Sequence, residues 1–396
     1  MDWKYYEPQK RKCMSIHITQ LSQKRSKVTI IYIILFLSLL SLYPIYKNFY
    51  NGAAVKTYER HIALIEGNSE YYNPWQYRML SPMIVEGLMF MYNNTIDRLY
   101  PIEEKLTFTI AKTSEPTPET KEFIKLLQTK GAIKYLLIFL ILRFFLNITV
   151  FLIAWYFWRH FVSNELLIFF GLMFLSMGMG NAVIASDLTF NTYFDIIFYL
   201  LAALIIVKKR NPAWIIPIVM LSAFNRETSI LIPFLFFISN CDFSNFNFKN
   251  YKSLLNFLPS KRIWLIAITS FFIFLLIFIG LRIYYGYQPQ QVWKVPAGIQ
   301  MIRLNLVSAV SVKSYFEMLG LFSVIPIVIL LRFRSLPIIL RTWFICIVPL
   351  WFTAHIYSVV IYQTRLFLVP SIIIFMPMFL FMIDNNKNIF KKSVNT

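Results

Sequence analysis

The residues best suited to chemistry are charged and polar groups set inside or beside apolar runs. Foremost is Asn225–Arg226–Glu227–Thr228, between the apolar runs Ala213–Ser222 and Ile230–Ser239. A charge facing lipid costs roughly 2.5–3.5 kcal/mol on an insertion scale, so these groups must pair, reach an aqueous cavity or sit at a membrane surface. One use of such an elbow is phosphate binding. Arg226 offers a planar fork that bonds two oxygens at once, and Asn225 or Thr228 can donate further hydrogen bonds. A local Arg226–Glu227 ion pair at a helix turn is the structural alternative. Two more arginines sit in comparable settings. Arg78 closes Trp75–Gln76–Tyr77–Arg78, which also reads as an interfacial aromatic belt with a snorkelling Arg. Arg365 closes Gln363–Thr364–Arg365, just before the last apolar run. A phosphate or diphosphate needs several positive partners, which makes the three arginines a candidate cluster.

A carboxylate can take a proton from a hydroxyl nucleophile if its geometry and acidity suit. Glu59 and Glu66 are seven residues apart, on one face of a helix, and are candidates together with Asp187. Asp195 opens the stretch Asp195–Ile196–Ile197–Phe198 and so enters an apolar helix, where an acid is costly and marks a site. Tyr71, Tyr72, Trp75 and Trp293 are suited to stacking on sugar rings.

The elements that must position these groups are membrane helices. Of 396 residues, 58% are hydrophobic and 15% charged, more apolar side chain than a soluble domain of this size could bury. The apolar runs are continuous, which excludes a β-barrel. The expected fold is all-α, a polytopic bundle of about ten helices with a long outer first loop carrying interfacial helices. The spans are expected at 28–46, 132–157, 164–180, 194–207, 212–224 with 228–239, 263–281, 317–331, 336–353 and 366–383. The pair 212–239 fits either one interrupted helix or a tight hairpin of short ones. Three regions follow: a basic N-terminus 1–27, the membrane domain 28–383 with its loop 47–131, and a tail 384–396.

Within the loop, Asn73–Pro74 predicts a helix over Trp75–Tyr92, and Thr117–Pro118 one to Lys130, stopped by Gly131. Residues 47–131 hold 10 basic and 10 acidic residues, so this neutral loop can lie on the outer face. The basic N-terminus, Arg159, Lys208–Arg210, Lys261–Arg262, Arg332 with Arg334, and Lys387–Lys392 all fall on one side. By the positive-inside rule that side is the cytoplasm, and both termini lie there. The net charge of +20 then reports orientation and contact with anionic lipid, and nucleic acid is not an expected partner. The richness in Ile, Phe, Lys and Asn fits an AT-rich genome, and the expected location is a bacterial plasma membrane. The three cysteines lack metal-ligand spacing, and no P-loop, Gly-rich nucleotide fingerprint or HExxH motif occurs. No cofactor is called for, with a divalent cation left open.

Several of these features resemble the GT-C class of integral-membrane glycosyltransferases, which use polyprenyl-phosphate-linked sugars. They are the acid-bearing loop after the first helix, the opening Trp75–Gln76–Tyr77–Arg78–Met79–Leu80–Ser81–Pro82, and the hairpin Asn225–Arg226–Glu227–Thr228 before Ile232–Pro233. Arg365 ahead of Val369–Pro370 is similar to their closing Arg-x-x-x-x-Pro element. The likeness covers most of the chain in architecture and about 20 residues in motif. It implies transfer of a sugar from a lipid-linked donor to a glycan or lipid acceptor on the outer face, usually with inversion. A first-loop carboxylate would act as base, and Arg78, Arg226 and Arg365 would hold the leaving phosphate. The chain departs from the class in lacking an Asp-Asp or Asp-Glu pair directly after the first helix, so Glu59 or Glu66 would have to serve. A surface-polysaccharide polymerase or ligase also handles lipid diphosphates with outward arginines. A transporter would share the interrupted helices, but should show an internal repeat, and none is evident.

Overall fold

The computed structural model describes residues 20–105, 117–243, 257–292 and 295–394. Long helices dominate. In chain order they begin with α1 (Gln20–Asn48), α2 (Ala54–Ile65), α3 (Leu80–Asn94) and α4 (Pro118–Leu127). The bundle proper continues with α5 (Ala132–Trp158), α6 (Glu165–Ser186) and α7 (Phe190–Val207). Then come the short α8 (Ile215–Ala223) and α9 (Leu231–Ser239), the long α10 (Lys261–Tyr285) and α11 (Ile299–Val307). Last are α12 (Ala309–Phe322), α13 (Ile325–Leu331), α14 (Ile338–Ser358) and α15 (Met376–Val394). A two-stranded ribbon, β1 (Gln291–Val292) against β2 (Val295–Pro296), follows α10.

Among the described residues seven helices are long and apolar enough to cross a membrane, or eight if the bent pair α12–α13 is one span. The chain is therefore an all-α, multi-pass membrane bundle. Its perimeter carries side chains that water would not tolerate in such number, such as Phe145, Met177, Phe272, Leu276 and Phe316, all exposed. The last span, Thr364–Asn385, is buried along most of its length and forms the centre. Ile372, Ile373, Ile374 and Met378 there are fully enclosed.

Three sequence expectations change. The run at 317–331 starts earlier and is broken, α12 and α13 meeting at 63° beside Ser323, whose φ is +50°. The helix expected at Trp75 begins at Leu80, because Trp75–Met79 is spent on a turn and the amide of Leu80 bonds the carbonyl of Phe224 at 3.1 Å. Pro82 then falls within the first turn, where a missing N–H costs nothing. Finally, α4 ends at Leu127, and Gly131 (φ +84°) opens α5 rather than closing α4.

Residues 212–239 form a hairpin. Asn211, before α8, accepts from Arg262 at the start of α10 at 3.3 Å, and Phe237, late in α9, packs on Trp264 with ring centroids 4.5 Å apart. The elbow lies at the other end of α10, where Glu227 meets Arg282 at 3.5 Å. Pro212–Ala223 has 12 residues, so each arm reaches about 18 Å at 1.5 Å per residue. That is short of the roughly 30 Å hydrocarbon core, so the arms enter and leave by the same face. With the bent pair taken as one span, the ten expected segments thus correspond to eight helices of crossing length and one re-entrant hairpin among the described residues. Arg159, Lys208–Arg210, Arg262, Arg332 and Arg334 cap helix ends on the face the arms leave from, called here the basic face. The elbow points toward the opposite face.

One glycine sets the geometry there. Gly52 (φ +89°, ψ −10°) turns the chain out of α1 so that α2 lies over the elbow end of the bundle. Gly52→Ala is expected to cost about 1–2 kcal/mol, because a Cβ in a left-handed conformation meets its own carbonyl. A lowered thermal midpoint in micelles would report it, and an unchanged midpoint would count against this role.

Candidate functional site

The elbow is tied down from several directions. Asn225 Nδ2 donates to the carbonyl of Asn191 at 2.9 Å, and Ser229 Oγ to that of Ser222 at 2.8 Å. Arg226 and Glu227 do not pair with each other. Arg226 Nη1 reaches Asp195 Oδ2 at 3.0 Å, a bond between two almost fully enclosed groups. Thr228 Oγ1 adds a 3.3 Å bond to the same oxygen. Glu227 takes both Nε and Nη2 of Arg78, at 3.3 and 2.7 Å, and Arg282 approaches its other oxygen. Neighbours of opposite charge in sequence thus serve different partners, so the local-pair reading fails.

Above the elbow lie two adjoining chambers. The outer one encloses about 350 Å³ and the inner about 80 Å³; Arg60, Trp75, Arg78 and Arg365 line both. Lys56 and Arg226 complete the cations of the outer chamber, and Arg143 those of the inner. Against these six cations the lining contains a single carboxylate, Asp187. Gln363 and Tyr71 are the polar walls of the outer chamber. A third, open recess of about 580 Å³ shares Lys56, Arg60 and Tyr71 with it and forms its mouth.

Arg365 is a buried cation without an acid partner: among the described residues no carboxylate is within ion-pair distance of it. Its Nη1 donates to the carbonyl of Asp187 at 2.8 Å, its Nη2 to Gln363 Oε1 at 2.9 Å, and its Nε has no partner. Arg143, 2% exposed in the apolar α5, stacks between Phe49 and Phe190 and reaches Asp187 Oδ1 at 3.5 Å. Asn48 donates to the same oxygen at 3.2 Å. Asp187 holds φ +63° with ψ +129°, a conformation an L residue keeps only when its surroundings enforce it. A buried guanidinium without a counter-charge is expensive. Such an array is suited to an anion with several oxygens, since each fork can bond two.

The aromatic groups are arranged for the same space. Arg60 lies over Trp75 at 4.7 Å, and Tyr71 meets Trp75 edge-on. Burial, reinforced by Glu70, raises the Tyr71 phenol above its ordinary value. Burial lifts Tyr362, in the same wall, to about 12 against the opposing pull of Arg365. Both therefore stay protonated near neutrality.

The candidate residues from sequence divide clearly. Arg78, Arg226, Gln363, Arg365 and Asp187 come together on the chambers. Asp195 and Glu227 stand behind them as counter-ions. Asn225 and Thr228 do not point into the chambers but bond Asn191 and Asp195. Gln76 is fully buried away from them and clamps the end of α2, donating to the carbonyl of Leu64 and accepting from the amide of Ser69. Glu59 sits exposed in the mouth recess, and Glu66, exposed beyond the end of α2, lines none of the three spaces. Tyr72 bonds the carbonyl of Tyr285 and lies outside the lining, while Trp293 falls outside the described residues.

Sequence reasoning overlooked Arg143, Lys56, Arg60 and Arg282. Arg143 carries the signal that revealed Arg226, a lone charge inside an apolar helix. Lys56 and Arg60, four apart on α2, share a face by simple helical spacing. It also overlooked His61, which lines the inner chamber. Among the described residues no three His, Cys, Asp or Glu side chains gather as a metal site.

Comparison with family models, with curated proteins and with solved structures yields no match, so the function must be read from this geometry alone.

Proposed function

We propose that the chain is a membrane glycosyltransferase of GT-C-like type. In this reading it moves a sugar from a polyprenyl-phosphate-linked donor to a glycan or lipid acceptor on the outer face of a bacterial plasma membrane. One observation carries the proposal. Arg78, Arg226 and Arg365 come from three segments far apart in sequence and line one chamber, the outer, whose walls hold no acid, the single carboxylate Asp187 belonging to the adjoining inner chamber. The positive-inside rule supports cytoplasmic termini, with the basic face inward and the chambers outward.

On this reading the donor phosphate sits between Arg78 and Arg365, which border both chambers. The acceptor oxygen attacks the anomeric carbon, the bond from that carbon to the phosphate oxygen breaks, and its electron pair stays on the phosphate. Fixed guanidinium groups aimed at that oxygen stabilise the charge as it grows, with little reorganisation. Asp187 braces the array, its side chain taking Arg143 and Asn48 and its carbonyl Arg365. Trp75 and Tyr71 supply flat apolar surface beside the phosphate site.

The decisive measurement is binding in nanodiscs of polyprenyl phosphate against the matching polyprenol. Binding that requires the phosphate, followed by transfer from a polyprenyl-phosphate-linked hexose, is the expected result. Equal affinity for phosphate and alcohol would overturn the proposal.

A further inference from the structure

The transfer needs a proton acceptor, and the acidic residues near the chambers are poorly placed for it. Glu59 and Glu66 are exposed and line neither chamber, while Asp187 is engaged with the arginines. His61 is different. It belongs to α2, is 8% exposed, and lines the inner chamber beside Arg78, Arg143 and Arg365. Its Nε2 lies 2.8 Å from Glu86 Oε1 on α3. Tyr135 on α5 donates to that same oxygen at 2.8 Å. The ring is held against Tyr135 and Phe139, with centroids 5.2 and 5.4 Å away.

We propose that His61, oriented by Glu86 and Tyr135, is the proton acceptor of the inner chamber; this rests on the transferase reading above. A carboxylate facing Nε2 fixes the proton on that nitrogen, which leaves the lone pair on Nδ1. As the acceptor oxygen bonds the anomeric carbon, its proton passes to Nδ1, and the electron pair of the broken carbon–oxygen bond remains on the phosphate. Glu86 then faces an imidazolium and stabilises it. Glu86 is a positioning residue, and three elements converge on one imidazole at the chamber wall. A clasp serving only to join α2 to α3 and α5 would have no need to face the chamber.

The test uses the purified full chain in micelles and reads histidine reactivity with diethyl pyrocarbonate, peptide by peptide. His160 is exposed and His355, at 4%, is the more enclosed of the two buried histidines, so they bracket the scale. His61 is expected to react almost as fast as His160 despite its burial, and to slow when inorganic pyrophosphate fills the chambers. Glu86→Gln should lower its reactivity, whereas a merely structural clasp would leave it unchanged or raise it by loosening. A His61 as inert as His355, or one indifferent to Glu86→Gln in a folded protein, would overturn the proposal. Pyrophosphate affinity is measured separately by calorimetry, so failure of the phosphate reading is seen independently of His61. In the transfer assay His61→Gln should keep pyrophosphate binding and lose about 100-fold or more in rate. Unchanged transfer by that variant would equally sink the idea.

Discussion

Arg365→Gln is expected to weaken binding of polyprenyl phosphate by roughly 30- to 150-fold while leaving the fold intact. The size follows from losing charge-assisted hydrogen bonds to one anion, about 2–3 kcal/mol, at 1.4 kcal/mol per factor of ten. The selectivity follows from what Arg365 touches. Its partners are a carbonyl and an amide oxygen, those of Asp187 and Gln363, so no buried carboxylate is orphaned when the charge goes. Glutamine can still donate to one of them. Titration of labelled polyprenyl phosphate, beside a thermal melt, separates the two effects. A change below threefold in affinity, or a large loss of stability, would show that the guanidinium serves the fold instead.

Asp195→Ala is expected to behave in the opposite way. Asp195 is fully enclosed, Arg226 is 3% exposed, and their 3.0 Å bond joins α7 to the elbow. Removing one partner of a buried pair leaves the other charge without compensation, at about 3–5 kcal/mol. The thermal midpoint should fall steeply, and Thr228 loses its acceptor as well. Replacing both partners, with Asp195→Leu and Arg226→Met, should recover a good part of the loss, because no stranded charge remains. That double variant also isolates the role of Arg226 in binding. If it folds and holds polyprenyl phosphate as tightly as the native chain, Arg226 is a wall of the chamber and not a ligand. The same outcome from Asp195→Ala alone would mean that the pair is far better hydrated than its burial implies.

The helical class and the helix-bearing segments were legible because hydrophobic runs of spanning length leave few alternatives. The hairpin was half legible. Its arms were visible as two short runs, but only contacts to both ends of α10 distinguish a re-entrant pair from one broken span. The arginines could be found because charge in an apolar context is costly wherever the chain then goes. Their partners could not, since Asp195–Arg226 and Arg78–Glu227 join residues 31 and 149 apart. Local spacing misled for the acids. Glu59 and Glu66 do sit seven residues apart at one helix, yet that face is turned toward the surroundings rather than the chambers. Gln76 likewise looked like part of a polar cluster, whereas an uncharged amide can be spent entirely on backbone groups.

The re-entrant hairpin also bears on how the protein is made. Neither arm can cross a bilayer, and its tip carries two charges that an inserting chain would resist by roughly 2.5–3.5 kcal/mol each. Synthesis from the N-terminus resolves the difficulty by order of arrival. Asp195 and Arg78 are translated before the elbow, so Arg226 and Glu227 emerge with their counter-ions already present. Arg282 follows on α10 and closes the group from the other side. The earlier helices thus act as a receptor for the hairpin during biogenesis. Transplanting residues 212–239 behind unrelated helices would keep the apolar arms but leave both tip charges without their counter-ions.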